Sequence, residues 1–136
     1  MGQINHIIVA LDISGASKNG LDAAIDLTGA KITCVTAIVV YPTLVATVTN
    51  YRKAMTKKAE TMLESKREYC EKHEVQFAFK VLQGDPSSEI TMFAEKQKAN
   101  LIVIGSKGLG GITGKIFGSV VNSVVHESKV SVLVIK

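Results

Sequence analysis

The sequence predicts an α/β fold: an open, doubly wound sheet of five parallel strands with helices on both faces. Three observations point there. Runs rich in β-branched residues alternate with amphipathic stretches in the order β-α-β-α-β-α-β-α-β, the pattern of parallel strands joined by right-handed helical crossovers. Two of the runs, Ile7-Ile8-Val9 and Leu101-Ile102-Val103-Ile104, carry no polar alternation, so both of their faces must be covered. No linker, repeat or low-complexity tract interrupts the 136 residues, a length that suits one domain.

The elements follow in order. Residues 4–11, INHIIVAL, form the first strand, and Asp12-Ile13-Ser14-Gly15 turns the chain. Ser17 is placed to cap a helix whose apolar face is Leu21, Ala24, Ile25 and Thr28, with Gly29 as its stop. Residues 31–40, KITCVTAIVV, are the second strand, ended by Tyr41-Pro42. Residues 43–50, TLVATVTN, read as a loop, with room for a short turn of helix, and apolar enough to cover a ligand or a partner surface. The longest helix spans 51–74, with Met55, Ala59, Met62, Leu63, Tyr69 and Cys70 on its buried face. Residues 76–82, QFAFKVL, alternate in part, which fits a strand at a sheet edge. Gly84-Asp85-Pro86 starts the third helix, with Asp85 as N-cap and Pro86 at the first helical position; Ile90, Phe93 and Ala94 face inward and Ala99-Asn100 closes it. Residues 101–104 are the fourth strand. A glycine-rich connection leads to the fourth helix, and residues 130–135, VSVLVI, form the fifth strand.

Composition excludes several classes. Hydrophobic residues make up 46% and charged residues 21%, which leaves no case for disorder. The apolar runs are strand-sized, far below the ~18 residues of a membrane span. The first residues show neither a basic n-region nor a small-residue cleavage site, which points to the cytoplasm. The net charge is +4, but sixteen basic residues are mixed with twelve acidic ones. The densest basic cluster, residues 52–72, also holds Glu60, Glu64, Glu68 and Glu71, which marks a solvated helix face rather than a nucleic-acid patch. Aromatics are only 5%, so platforms for stacking single-stranded bases are scarce. Cys34 and Cys70 form no CxxC, and a structural disulfide is not expected in the cytosol. His6, His73 and His126 are isolated in sequence and read as surface or boundary residues, so neither a metal site nor a catalytic base is assigned.

The informative stretch is residues 105–119, GSKGLGGITGKIFGS, with six glycines between a buried strand and a helix. Glycines let backbone N–H groups approach a ligand with no Cβ in the way. The helix that follows offers free N–H groups and a partial positive end, a common cradle for phosphate. A glycine-rich connection with no ligand is the plain alternative. If strands one and four are central, Asp12 and Gly105 share the carboxyl edge of the sheet, where doubly wound folds bind ligands.

Two phosphate-loop patterns fail on spacing. For a Walker loop ending at Gly114-Lys115, the first glycine falls on Leu109 and Ile116 replaces the Ser/Thr. For G-x-G-x-x-G, Gly108 and Gly110 lead to Thr113 rather than glycine. A third spacing fits: Gly105-x-x-Gly108, nine residues, then Gly118-Ser119. It resembles the nucleotide-binding signature of the universal stress protein family. The resemblance runs along the whole chain, through VALDISG at 9–15, Gly84-Asp85-Pro86 and the final VSVLVIK.

The resemblance implies a single nucleotide-binding domain over residues 1–136, strand order 3-2-1-4-5, and ATP, or ADP or AMP, held with Mg²⁺ or Mn²⁺. Asp12 would approach the ribose or adenine, and Val39 would offer a backbone contact to adenine. Gly105, Gly108, Gly118, Ser119 and Val120 would hold the phosphates, with Lys107 and Lys115 as added charge or as solvated loop residues. The chain departs from the pattern at Val121, where many nucleotide-binding members carry a further hydroxyl.

Three functions stand side by side: an ATP-binding stress-response regulator, a slow ATPase or autophosphorylating enzyme, and a dimeric interaction module that binds no nucleotide. No catalytic base is evident beside the loop, so binding is weighted above catalysis. The fifth strand is apolar and ends a sheet edge, which favours a homodimer through residues 130–135.

Overall fold

In the computed structural model, which describes residues 4–12, 19–27, 31–38, 45–106 and 118–136, the first apolar run forms strand β1 (His6–Ala10) at the centre of the sheet. The chain continues through α1 (Asn19–Leu27), β2 (Lys31–Ile38), α2 (Val45–Glu64), α3 (Arg67–Lys72) and β3 (Phe77–Gln83). It ends with α4 (Pro86–Lys96), β4 (Leu101–Gly105), α5 (Ser119–Glu127) and β5 (Ser131–Ile135). The sheet has the order β3-β2-β1-β4-β5, and every pairing is parallel.

Strand side chains alternate between the two faces, and the core divides accordingly. Ile7, Val9, Ile32, Cys34 and Val103 face one side and pack with Leu21 and Ala24 of α1, Leu63 of α2 and Cys70 of α3. Ile8, Ala10, Val35, Ile102 and Ile104 face the other and pack with Ile90 and Ala94 of α4 and Val121 and Val124 of α5. β1 and β4 thus run between two apolar layers, which is why their sequences show no alternation. Burial holds the Cys34 thiol protonated, with a pKa well above the thiol range, in keeping with a core role.

Two expectations are corrected. Residues 45–50, read as loop, belong to α2. Val45, Thr47, Val48 and Thr49 have weak helix propensity, but they continue a helix whose Ala59 and Leu63 are fully buried, and packing outweighs propensity. Residues 43 and 44 lie outside the described residues. The helix read as continuous over 51–74 is broken after Glu64, giving five helices among the described residues where four were expected. Ser65 turns its hydroxyl onto Met62 O, and the Lys66 N–H bonds to Leu63 O in a tightened last turn.

The entry to α4 is as expected. Gly84 has φ +135°, a conformation that needs glycine, and the Asp85 carboxylate accepts from the Ser88 N–H at 3.2 Å. That bond lowers the Asp85 pKa.

At the amino edge of the sheet, the Asn5 and His6 N–H groups both donate to Asn100 Oδ1, at 2.7 and 3.0 Å. His6 Nε2 shares a 2.7 Å hydrogen bond with the Thr33 hydroxyl. Partial burial, with Lys31 nearby, lowers the His6 pKa, so the folded state prefers the neutral ring. In the unfolded chain His6 takes up a proton near its ordinary 6.5, and stability therefore falls as the pH drops below that value. We expect the urea midpoint to fall between about pH 8 and about pH 5.5 by less in His6→Asn than in the parent.

Candidate functional site

The parallel crossovers bring the carboxyl ends of all five strands, and the amino ends of the helices that follow them, to one edge. Order reverses between β1 and β4, which lie side by side although α1 follows one and α5 the other. The crevice at that reversal is the candidate site.

Register places its residues. Ala10 pairs with Val35 on one side and Ile104 on the other, and the ladder runs on through the Leu11 N–H to Val35 O at 2.8 Å. One further step puts Asp12 level with Ala37 of β2 and Ser106 beyond β4. Asp12 is half-buried at the end of β1. Gly105 closes β4 beside Ile135, and the Ser106 N–H donates to Ile135 O at 2.8 Å. Ser106 is itself buried.

Gly105 has no conformational or packing reason to be glycine. Its φ is not positive, and among the described residues a Cβ built there would meet nothing within 4 Å. The missing side chain leaves room that no described residue fills, as a ligand cradle requires.

The amino end of α5 stands at the same edge. Gly118 is its N-cap, with no side-chain cap, and its carbonyl accepts from the Asn122 N–H at 3.0 Å. The N–H groups of Ser119, Val120 and Val121 have no carbonyl within the helix to bond, so this end attracts an anion. Ser119 is exposed, whereas the Val120 side chain packs on the α4–α5 layer, leaving its N–H as the group available to a ligand.

Of the residues singled out from sequence, Asp12, Gly105, Gly118, Ser119 and Val120 therefore share one edge of the fold. Val39, Lys107, Gly108 and Lys115 lie outside the described residues. Sequence reading missed Ala37 and Ser106. Ser106 was findable as the hydroxyl next to the first glycine of the loop; Ala37 becomes visible only through the β1–β2 register. Among the described residues, no three His, Cys, Asp or Glu side chains come together as a metal site. None of the described helices is long and apolar enough to cross a membrane.

Comparison with known proteins adds to this geometry. The sequence model of the universal stress protein family matches residues 3–136. A universal stress protein of Methanocaldococcus jannaschii is 38% identical over 74 residues, a stretch covering 54% of this chain and 44% of that protein. Universal stress protein YxiE of Bacillus subtilis is 27% identical over 146 residues, 97% of this chain and 99% of that one. Universal stress protein UspA from Lactobacillus plantarum superposes with a TM-score of 0.88 at 18% identity, covering all of both chains. An Arabidopsis thaliana member solved with AMP bound superposes at 0.71 with 18% identity, covering 97% of this chain and 91% of that one. A universal stress protein in complex with cAMP superposes at 0.63 with 24% identity, covering 98% of each chain.

Val121, the departure noted in the sequence, is fully buried in the α4–α5 layer. A hydroxyl on this side chain would meet apolar neighbours. We expect Val121→Thr to cost about 1–2 kcal/mol in urea unfolding and to leave nucleotide affinity no better than in the parent.

Proposed function

The chain belongs to the universal stress protein family, and from that premise we propose that it binds an adenine nucleotide, ATP in the first instance, in the crevice between β1 and β4. The observation that carries this reading is that, among the described residues, nothing fills the space beside Gly105 at the point where strand order reverses, next to the amino end of α5, which has no side-chain cap. The phosphates take the α5 N–H groups, with Ser119 adding a hydroxyl, and Asp12 meets the ribose. Gly108, Lys107 and Val39 complete the set by the glycine spacing and the family pattern. The adenine nucleotides of the two ligand-bound neighbours support the choice of base. A Mg²⁺ or Mn²⁺ ion is held chiefly by the phosphates in this reading, since the described residues gather no metal cluster.

Binding serves regulation rather than turnover. In this reading Asp12 serves the ribose, and no other residue is assigned as a general base. β5 favours a second element of the reading, a homodimer through the sheet edge. Val132, Leu133, Val134 and Ile135 are only half-buried, although their counterparts on β4 from Ile102 to Ile104 are fully covered.

Calorimetry with ATP and Mg²⁺ tests the site. We expect saturable binding, and phosphate release no faster than from ATP alone; absence of heat would sink the reading. Gly105→Ala should keep or slightly raise stability, by up to about 1 kcal/mol, yet weaken ATP binding at least about tenfold by filling the cradle. Unchanged affinity in that folded variant would move the nucleotide elsewhere.

A further inference from the structure

Away from the crevice, the edge at β3 repeats one arrangement twice, once filled and once open. The Arg67 guanidinium lies 5.2 Å from the centre of the Phe77 ring. It donates to both carboxylate oxygens of Glu64, from Nε at 2.8 Å and Nη2 at 3.2 Å. Glu60 stands one helical turn before Glu64 on α2, and Phe79 stands two residues after Phe77 on β3. Helix and strand run in opposite directions, and the two steps match: four helix residues advance ~6 Å and two strand residues ~6.6 Å. Glu60 and Phe79 therefore repeat Glu64 and Phe77 with no cation between them. Among the described residues Glu60 makes no ion pair.

A groove of about 550 Å³ opens at this second position, lined by Glu60, Thr61, Glu64, Ser65 and Phe79. The Thr61 and Ser65 hydroxyls are turned onto carbonyls of their own helix, Lys57 O and Met62 O. The acidic and aromatic groups are left to face an incoming ligand.

The strand beside the groove is also open. Among the described residues β3 pairs only with β2, through Gln76 O, which accepts from the Ile32 N–H, and the Gly84 N–H, which donates to Ile38 O. In a parallel ladder, alternate residues turn the other way, so Phe77, Phe79 and Val81 direct their N–H and C=O groups outward. Lys80, exposed on the opposite face, discourages indiscriminate strand addition there and leaves the Glu60 side as the selective one.

We propose that this edge docks an extended segment of a partner protein bearing an arginine. The guanidinium enters between Glu60 and Phe79 as Arg67 does between Glu64 and Phe77, while the segment's backbone pairs with β3. Arginine fits better than lysine because its planar group stacks on a ring and bonds a carboxylate at once. The combination of main-chain pairing and one side-chain pocket is a known mode of peptide capture.

The probe is an end-blocked peptide, Thr-Val-Arg-Val-Thr, titrated into the full chain and read by backbone amide NMR and calorimetry. Shifts should centre on β3 and on residues 60–65. Affinity should fall about tenfold when citrulline replaces the arginine, and about tenfold again for the parent peptide with Glu60→Gln, whose exposed position leaves the fold intact. No binding, shifts centred on β5, equal affinity for arginine amide alone, or indifference to both changes would each overturn the proposal.

Discussion

Coverage of β1 and β4 on both faces is the constraint on which the rest of the structure depends. Ile7, Ile8, Val9, Ile102, Val103 and Ile104 are all at 0% exposure, so neither strand has room for polar chemistry along its length. Covering two faces requires helices above and below, and right-handed crossovers supply them only if the chain winds both ways from the centre. Polar groups collect at the strand ends in consequence. His6 bonds to Asn100 and to Thr33 at the amino edge, and Asp12 and Ser106 stand level by register at the carboxyl edge. One exception lies between these edges: Thr36 is buried with no hydrogen-bond partner for its hydroxyl among the described residues, and the structure offers no physical account of it.

Much of this was legible in the sequence because burial leaves direct marks. Unbroken apolar runs named the central strands, partial alternation named β3 as an edge, and Gly84-Asp85-Pro86 named a helix start that Asp85 caps. What escaped depends on tertiary context. Residues 45–50 have the composition of a strand or loop and become helical as the first turns of α2. The break after Glu64 is accompanied by Ser65 bonding back to Met62 O and by the Lys66 N–H closing a tighter turn on Leu63 O, within a stretch whose periodicity alone looks continuous. The site divides in the same way. Glycine spacing pointed to the loop and helix entry, since that chemistry is local. Ala37 and Ser106 needed strand register, which pairs residues far apart in sequence.

The two edges of the sheet meet different surroundings. β5 is apolar and only half-buried at the sheet border. β3 shows carboxylates, rings and a guanidinium, so what binds there must answer charge as well as shape. The two borders of one sheet thus differ in chemistry, with the carboxyl-edge crevice between them.

The Asn5 N–H bonds to a side chain 95 residues further along, and β1 finds its second neighbour only when β4 arrives. The first half of the chain can pair β1 with β2, but it leaves the other edge of β1 bare and apolar. Contacts of such long range make folding slow, and they expose an aggregation-prone strand in any chain stopped short of Leu101. The crevice does not exist before that closure, so a ligand bound there cannot seed folding. It can only report, and then protect, a chain whose synthesis has passed its fourth strand.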